Sequence, residues 1–357
     1  MGVREGGNER YFHSILRQLG RLALSEDQYY VFSYRGSAAA RLHNLPLTHI
    51  PLQRRSVMWQ RGIELPRYAR RLALDVLHVP FNFLPVGRAR KIVTIHDLAF
   101  LHLPEVHGLV ERKRLQWLTR LSARHANHVL TVSELSRREI SDYYGVPPER
   151  ITVAPNAVDR DVFRPLNEAE RAPLRKRLGV DYEYILHVGT MHPRKNLPVL
   201  IEAFARLRAR GCPHHLVLIG RTGQGTAEVF RLVRKHGLEM AVHHLQTLCD
   251  HELAAAYASA TVLVVPSLYE GFGVPVLEAM SCGCPVVSSS GGALPEVCGD
   301  AAVLFDPRDA DALAAHLERT IADRTLRGEL IARGLTNCER FSWERTTAII
   351  AGVYHLA

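Results

Sequence analysis

The 357-residue sequence predicts an α/β fold with two doubly wound parallel sheets, one in each half of the chain. Short apolar runs alternate with helical patterns, which is typical of parallel strands joined by crossover helices. The length is sufficient for two domains with separate cores. Hydrophobic residues make up 47% of the chain and charged residues 23%, which is a globular composition and excludes a disordered protein.

The first half predicts six strands and four helices. The strands cover residues 28–33, 48–52, 75–79, 91–95, 128–132 and 151–154, and the helices cover 8–23, 60–73, 109–126 and 134–144. Ser133, and Ser136 with Glu139 three residues later, are N-cap signals for the start of the last helix. This half therefore has the alternation of an α/β domain.

The second half is more regular from residue 181 onward. Its predicted strands cover residues 182–188, 215–219, 242–245, 261–265, 285–288 and 302–305. Helical patterns cover 196–210, 225–236, 250–259, 274–282, 293–298 and 310–322. Six strands alternating with helices predict a second doubly wound sheet.

The domain boundary is predicted from a polar stretch between the halves. Residues 159–180 contain Pro165 and Pro173 and show no apolar periodicity, which indicates a hinge. We expect a first domain over residues 1–165 and a second over 166–341. A final helix is predicted at 342–355, within a C-terminal segment of residues 342–357.

The most informative segment covers residues 266–285 and has the sequence PSLYEGFGVPVLEAMSCGCP. Seven residues separate Glu270 from Glu278. Glu270 is expected on the loop after a buried strand, where ligands bind in open α/β sheets, and Glu278 in the first turns of the next helix. Gly271 and Gly273 let the backbone approach a ligand, and the helix N-terminus favours an anion. The segment predicts a nucleotide-sugar site.

Two further strand ends carry candidate residues. Residues 188–196 combine a turn at Gly189, the cations Arg194 and Lys195, and a helix start, which suits a pyrophosphate. In the first half, His96 and Asp97 follow an apolar strand. On the residues alone, a single histidine there is more often structural than catalytic.

The 266–285 segment resembles the Glu-x7-Glu signature of the retaining glycosyltransferases of family 4, including the flanking Pro-Ser, Gly-Phe-Gly and Leu-Glu-Ala-Met. The resemblance implies the two-domain GT-B fold, with Rossmann-like domains facing a crevice and a C-terminal helix that crosses back to the first domain. It also implies metal-independent, retaining transfer of a hexose from a nucleotide sugar to a glycan or lipid-linked acceptor.

The resemblance also implies roles for individual residues. Glu278 would bind the ribose, Lys195 the pyrophosphate, and Glu270 the sugar hydroxyls, while His96 would lie against the donor sugar. Catalysis would fall to His96, Glu270 and Lys195. Substrate contacts would come from Gly7, Gly189, Arg194, Lys195, Gly271, Phe272, Gly273, Val274 and Glu278.

Two departures from the family pattern stand out. Many members have an arginine where this chain has Thr190, so Arg194 and Lys195 must meet the phosphate charge. Only residues 1–5 precede the Gly6-Gly7 loop, where the family has its first strand. We therefore expect a rearranged first-domain sheet or a gap filled by another segment, with donor binding intact and transfer weak.

The run 189–196 is most similar to bacterial mannosyltransferases, which favours GDP-mannose over UDP-glucose or UDP-N-acetylglucosamine. Three alternatives stay open: a nucleotide-sugar-binding protein with little transfer, a GT-B nucleotide-sugar epimerase, and a glycoside hydrolase. Consumption of a free glycoside would indicate the hydrolase, and turnover of donor without acceptor the epimerase.

The distribution of charge along the chain bears on the partners that the protein can bind. Residues 1–165 hold 25 Lys and Arg against 15 Asp and Glu, whereas residues 166–357 hold 20 against 21. This basic half favours an anionic partner such as a membrane surface, or is only a solubilising surface. No nucleic acid is expected as a partner. The basic residues surround Trp59 and Trp117 and are Arg54, Arg55, Arg61, Arg67, Arg70, Arg71, Arg112, Lys113, Arg114, Arg120 and Arg124.

The six cysteines have no CxxC spacing and predict free cytosolic thiols. We expect neither a metal nor a cofactor. No apolar run reaches the roughly 20 residues of a spanning helix, and residues 1–10 lack a signal-peptide pattern. The sequence predicts a cytoplasmic protein, peripheral on the inner face of the membrane if the basic half binds lipid.

Overall fold

The computed structural model describes residues 7–22, 27–33, 47–52, 59–80, 87–106, 108–179, 182–246 and 248–356. The chain divides into two compact units, Met1–Asn156 with Trp343–Ala357, and Ala157–Ser342. The sequence analysis places this boundary after Pro165. The segment expected in place of the family's first strand, together with Gly6, Arg54 and Arg55, lies outside the described residues.

The first unit contains α1 (Gly7–Leu22), β1 (Tyr30–Ser33), β2 (Thr48–Pro51), a π-helical segment (Gln60–Glu64), α2 (Leu65–Arg71), β3 (Val76–Pro80), β4 (Arg90–Thr94), α3 (Ala99–His102), α4 (Leu109–His125), β5 (His128–Thr131), α5 (Glu134–Tyr144), a 3₁₀ turn (Pro148–Arg150) and β6 (Ile151–Val153). All six predicted strands form, each within two residues of its predicted bounds. The predicted helix 60–73 is divided between the π-helical segment and α2.

The described strands of the first unit form two parallel sheets. One pairs β1 with β2, and the other has the order β3-β4-β5-β6. Val93 of β4 and Val129 of β5 are in register and fully buried, and they pack with Ile140 of α5 in the core. The described strands of this unit therefore lie in two separate sheets.

A side-chain cap fixes the residue at which helix α5 begins. Ser133 is its N-cap and accepts a hydrogen bond from the Ser136 amide at 3.1 Å, while Gly145 ends the helix with a φ of 64°. Ser136 lies within the first turn. Of the two predicted cap signals, only Ser133 therefore caps the helix.

The second unit contains α6 (Glu168–Leu178), β7 (Tyr184–Val188), a 3₁₀ turn (Pro193–Lys195), α7 (Leu197–Ala209), β8 (His215–Ile219), α8 (Thr226–Lys235), β9 (Val242–Leu245), α9 (Asp250–Ser259), β10 (Val262–Val265), α10 (Val274–Ser281), β11 (Val286–Ser289), α11 (Leu294–Cys298), β12 (Val303–Phe305), α12 (Ala310–Ala322) and α13 (Arg324–Cys338). The last helix, α14 (Trp343–His355), belongs to the first unit.

The second unit has one six-stranded parallel sheet with the order β12-β11-β10-β7-β8-β9. Its central strands β7, β8 and β10 are largely apolar, as expected where helices cover both faces of a sheet. Ile185, Leu216 and Val264 pack in one buried cluster with Phe204 of α7 and Leu317 of α12. Burial of each such side chain contributes about 1.5–3 kcal/mol, so this cluster fixes the strand ends that carry the candidate site.

The predicted hinge over residues 159–180 is wrong for its second half, because α6 forms there around Pro173. Asn167 and Glu170 make a reciprocal capping box, and Gly179 ends the helix with a φ of 60°. Arg171 also donates a hydrogen bond to the Ala258 carbonyl at 2.9 Å. Caps and this tertiary contact therefore replace the apolar stripe that the sequence lacks.

In the final part of the first unit, α14 packs on α1. Gln18 of α1 donates a hydrogen bond to Glu344 at 3.0 Å, and the ring of Tyr11 meets Trp343 edge-on at 5.9 Å. The six cysteines are free. Among the described helices, none combines the length and the apolar character that crossing a bilayer requires.

Candidate active site

The candidate site is built on two adjacent strands at the centre of the second sheet. β7 pairs with β10, and the sheet order reverses here, with β8 and β9 on one side and β11 and β12 on the other. Loops from the carboxyl ends of strands at such a switch point are the usual ligand sites. The loop after β7 carries Arg194 and Lys195, and the loop after β10 carries Glu270.

The loop after β7 is short and held at several points. A Cβ at Gly189 would lie 3.3 Å from Cε of Lys195, so a larger residue would press against this lysine. Asn196 takes the left-handed conformation with a φ of 54°. Its side-chain amide donates hydrogen bonds to the carbonyls of Pro266, at 3.0 Å, and Pro307, at 2.6 Å. Asn196 thereby ties the loop after β7 to the loop after β10.

An ion cluster joins the two loops. Nη1 of Arg194 lies 2.6 Å from Oε2 of Glu270, and Nζ of Lys195 lies 2.6 Å from Oε1. The Ser267 hydroxyl donates to Oε1 at 2.7 Å, and Arg194 also donates to the Tyr269 carbonyl at 2.9 Å. Glu270 is 7% exposed. The structure thus brings three predicted site residues into direct contact.

The charges in this cluster support one another. Burial alone raises the pKa of Glu270, but Arg194, Lys195 and the Ser267 hydroxyl together lower it far below the ordinary carboxyl range. The carboxylate therefore stays ionised at neutral pH. Two cations share one carboxylate, so the cluster carries a net positive charge and can accept a further anion.

His187 lies beside this cluster and was not singled out by the sequence. It is buried in β7, and its Nδ1 lies 3.0 Å from the Val264 carbonyl. Its Nε2 has no hydrogen-bond partner among the described residues, and a Cβ at Gly189 would lie 3.2 Å from it. Burial, reinforced by Lys195, lowers the pKa of His187 to about 4, so the imidazole is neutral.

Gly291 and Gly292 support the loop that carries Glu270. Gly292 forms an isolated parallel bridge with Glu270, and the Ala293 amide donates to the Glu270 carbonyl at 2.8 Å. A Cβ at Gly292 would lie 2.3 Å from that carbonyl oxygen. Gly292 therefore packs against the backbone of a site residue.

The N-terminus of α10 also belongs to the candidate site of the second unit. Gly273 is the N-cap with a φ of 112°, and a Cβ there would lie 2.7 Å from Leu294. Gly271 and Phe272 are buried before it, and Val274 is the first helical residue. The first amides of a helix have no intrahelical acceptor and favour an anion, which fits the predicted role of this segment.

Glu278 lies one turn further along α10 and is 4% exposed. The hydroxyl of Tyr257 in α9 donates a hydrogen bond to its Oε2 at 2.8 Å. Tyr257 was not among the predicted site residues, because it precedes Glu278 by 21 residues on another helix. No local pattern connects the two positions.

The remaining predicted residues belong to the first unit. Gly7 is the first residue of α1. His96 is buried beyond β4, its Nε2 lacks a partner among the described residues, and the ring of Tyr11 meets it edge-on at 4.9 Å. Burial lowers the pKa of His96 to about 4 against the opposing effect of Asp97. Asp97 accepts a hydrogen bond from the Ala99 amide at 3.0 Å and so orders this loop.

Within the described ranges, no three His, Cys, Asp or Glu side chains lie together in a way that could hold a metal ion. The ion cluster of Arg194, Lys195 and Glu270 offers electrostatic chemistry. Fixed cations and helix amides of the second unit lie where negative charge can bind or develop, and the buried, neutral His187 lies beside the cations.

Two family models match the chain. "Glycosyl transferases group 1" matches residues 170–336, and "Glycosyltransferase Family 4" matches residues 5–162. The chain belongs to this family of GT-B glycosyltransferases and is a glycosyltransferase. This confirms the fold class and family that the Glu-x7-Glu segment predicts.

Individual relatives agree with this assignment. O-antigen chain mannosyltransferase B of Escherichia coli is 36% identical over 79% of this chain and 74% of its own length. The MMP alpha-(1->4)-mannosyltransferase of Mycolicibacterium hassiacum is 37% identical over 66% of this chain and 55% of its own length. The structure of Anabaena HepE in complex with UDP-glucose has a TM-score of 0.80 at 19% identity, over 100% of this chain and 98% of that one.

Proposed function

We propose that this glycosyltransferase transfers mannose from GDP-mannose, with retention and without a metal ion, to a glycan or lipid-linked acceptor. The observation that carries the proposal is the buried cluster of Arg194, Lys195 and Glu270 at the switch point, beside the N-terminus of α10. Mannose is favoured because two relatives are named mannosyltransferases. The acceptor class follows from the family resemblance.

In the proposed reaction, the bond between the sugar's anomeric carbon and the leaving phosphate oxygen breaks, and its electron pair goes to that oxygen. The acceptor hydroxyl oxygen bonds to the same face of the anomeric carbon and gives its proton to the leaving phosphate. Negative charge grows on the phosphate during this step. Arg194 and Lys195, with the α10 amides, would stabilise it, which is why no metal ion is required.

Glu270 has two parts in this proposal. Before donor binding it holds Arg194 and Lys195 at fixed positions, so little reorganisation is needed when a phosphate arrives. With donor bound, its carboxylate would accept hydrogen bonds from sugar hydroxyls. Phe272, Gly273 and Val274 would offer backbone amides to the same donor.

The other roles carried by the resemblance belong to the proposal as well. Glu278 would accept hydrogen bonds from the ribose hydroxyls. His96, neutral because of its burial, would contact the donor sugar as a hydrogen-bonding group. Gly7 and Gly189 would let the backbone approach the substrates closely.

An anionic membrane surface is the proposed location of the acceptor. Leu109, Val110 and Trp117 are exposed on α4, together with Lys113 and Arg114. Exposed apolar side chains among basic residues fit the interface of an anionic bilayer. We propose that the protein works at the cytoplasmic face of such a membrane.

The test compares GDP-mannose, UDP-glucose and UDP-N-acetylglucosamine by thermal shift and by transfer to a lipid-linked acceptor, with and without EDTA. A ligand at 100 times its Kd stabilises the fold by about 2.7 kcal/mol, so the correct donor raises Tm by several degrees. GDP-mannose should give the largest shift and EDTA-resistant transfer.

Other outcomes point elsewhere. A shift without transfer would indicate a nucleotide-sugar-binding protein, and donor turnover without acceptor would indicate an epimerase. A larger shift with a UDP-sugar would overturn the choice of donor and leave the reaction class in place.

A further inference from the structure

We propose that Tyr257 is a positioning residue for Glu278 and thereby sets how strongly this protein distinguishes the hydroxyl groups of a nucleotide ribose. The proposal rests on the proposed function, in which Glu278 binds the ribose. It adds a residue on a different helix, α9, whose side chain acts on the ligand only through the carboxylate of Glu278.

The contact between these residues is direct and buried. The Tyr257 hydroxyl donates to Oε2 of Glu278 at 2.8 Å, and Tyr257 has no exposed surface. A side chain without exposed surface does not reach a ligand unless its surroundings move. The ring also meets Phe163 edge-on, with centroids 6.2 Å apart, which fixes its orientation. Tyr257 is therefore placed to hold Glu278.

In this pair the proton stays on the Tyr257 hydroxyl. Burial, followed by the neighbouring Glu278, raises the pKa of Tyr257 well above its ordinary value of 10. The hydroxyl keeps its proton at working pH and remains a donor. A hydrogen bond to a carboxylate is stronger than one between neutral groups, so it restricts the rotation of Glu278.

The hydrogen-bonding capacity of a carboxylate matches the ribose. Two carboxylate oxygens have about four lone-pair sites, and the tyrosine hydroxyl uses one of them. Ribose hydroxyls are donors toward a carboxylate, and two adjacent hydroxyls require a carboxylate in one orientation. A Glu278 side chain held by Tyr257 would meet that requirement. A Glu278 side chain without this hydrogen bond would take more orientations and lose part of its preference for the ribose hydroxyls.

A neighbouring tyrosine provides a matched control. The hydroxyl of Tyr184 donates to the Ala256 carbonyl at 2.8 Å, next to Tyr257 in the same helix. Tyr184→Phe removes a buried hydroxyl and its hydrogen bond to α9, and Tyr257→Phe removes a buried hydroxyl and its hydrogen bond to α10. Only Tyr257→Phe removes a hydrogen bond from Glu278.

The experiment measures Kd by calorimetry for GDP and for 2′,3′-dideoxy-GDP, with UDP and 2′,3′-dideoxy-UDP in parallel. The readout is the ratio of the dideoxy Kd to the parent Kd. The wild-type protein should give a ratio of about 10 or more, which corresponds to hydrogen bonds to a charged group. Glu278→Gln should bring the ratio close to 1, and Tyr184→Phe should leave it unchanged.

Tyr257→Phe should lower the ratio about fivefold, because one hydrogen bond's contribution is lost, while the Kd of the dideoxy nucleotide stays within about twofold. The KM for the nucleotide sugar should rise and kcat should stay near its wild-type value. A purely structural role for Tyr257 would weaken the binding of both nucleotides equally and leave the ratio unchanged.

The outcomes distinguish a failure of the positioning role of Tyr257 from a failure of the assignment of Glu278 to the ribose. An unchanged ratio in Tyr257→Phe, with discrimination in the wild type and loss in Glu278→Gln, overturns the positioning role and keeps the proposed function. A wild-type ratio near 1 overturns the assignment of Glu278 to the ribose and the inference with it. If Tyr257→Phe does not fold, Tyr257→Met fills the space with a flexible side chain, and the same fall in the ratio is expected.

Discussion

The strand ends that carry predicted site residues differ in charge between the two units. After β7 and β10, the second unit buries an ionised carboxylate in contact with two cations. After β4, the first unit buries His96, and β3 contributes His78. Burial lowers their pKa values to about 4 and about 3. These strand ends of the second unit hold assembled charges, whereas the two buried histidines of the first unit are neutral, although both units are built on parallel sheets.

This contrast teaches that the chemistry of each unit follows from the partners supplied to a buried group. Glu270 has cations within 2.6 Å and stays charged. His78 lies between the hydroxyls of Thr94 and Tyr354, both at 2.7 Å from its ring nitrogens, and stays neutral. A buried group without a partner of opposite charge is more stable in its neutral form, because burial disfavours the charged form.

The largest expected effect comes from breaking the charged site. Lys195→Ala should lower turnover by about 100-fold or more, because a fixed cation no longer stabilises the leaving phosphate. The fold should persist, since Lys195 lies in a 3₁₀ turn between β7 and α7. A nucleotide-release assay measures the effect.

Lys235→Ala is the control for this prediction, because Lys235 is an exposed cation at the end of α8 in the same unit. It should change turnover by less than twofold. If Lys195→Ala kept turnover close to the wild-type value, Lys195 would not belong to the catalytic group.

The second effect concerns stability. Glu270→Gln should lower the free energy of unfolding by about 3 kcal/mol, because two cations lose a buried carboxylate. The lowered pKa of Glu270 stabilises the fold above the ordinary carboxyl pKa, and this contribution is lost as pH falls below about 5. The difference between wild type and variant should therefore shrink in acid. Urea unfolding at pH 7, 5 and 3.5 measures it.

Glu252→Gln provides the matched surface case, since Glu252 pairs with Arg177 on the exposed side of the same unit. An exposed pair is worth about 0–1 kcal/mol, so the loss should be much smaller. Equal losses in the two variants would contradict the distinction between the buried and exposed pairs.

The third effect concerns the neutral site of the first unit. His96→Asn should lower turnover about tenfold, which corresponds to one lost hydrogen bond, without changing the shape of the pH profile between about 6 and 8. The imidazole is already neutral in that range, because burial lowers its pKa to about 4. An inflection near pH 6.5 in the wild type that disappears in His96→Asn would show that His96 titrates there.

The same buried histidine affects stability in acid. Its lowered pKa means that the unfolded chain binds a proton first, so stability is full above pH ~6.5 and falls as pH decreases toward 4. His96→Asn should reduce this slope, as measured by urea unfolding across that range. His125→Asn, at an exposed position at the end of α4, is the control and should leave the slope unchanged.

The smallest effect on the fold is expected at the surface. Trp117 is 61% exposed on α4, so Trp117→Ser should change the free energy of unfolding by less than about 0.5 kcal/mol. Binding to phosphatidylglycerol vesicles should nevertheless weaken severalfold. Met240→Ser, at an exposed apolar residue of the second unit, should change neither property. Equal vesicle binding by all three proteins would remove α4 from the membrane proposal.

The sequence predicts the second unit's sheet well because buried parallel strands are continuous apolar runs. Its six strands begin and end within two residues of the predicted bounds. The helix α6 escapes prediction because it has no apolar stripe, and its caps, Asn167 with Glu170 and Gly179, stabilise it instead. The helix α13 lies in a stretch for which the sequence analysis predicts no element.

In the candidate site, spacing along the chain finds the residues that the chain itself places on strand ends. Glu270 and Lys195 are found in this way, and Glu278 is found from its spacing to Glu270 in the helix that follows. Tyr257 contacts Glu278 through packing between two helices, and His187 contacts the Val264 carbonyl on the neighbouring strand. A single sequence has no local signal for either contact. Ser267 is the exception, because its hydroxyl lies only three residues before its acceptor, Glu270, where a local pattern could have identified it.

The ion cluster also constrains how this protein can be altered. Arg194 and Lys195 are 75 and more residues from Glu270 in sequence, yet both contact its carboxylate and keep it ionised. Substitutions at such contacting positions are not additive. An engineer who changes the donor preference should therefore replace the loop after β7 and the loop after β10 together. A variant with only one altered loop buries a charge that has lost its partner of opposite charge.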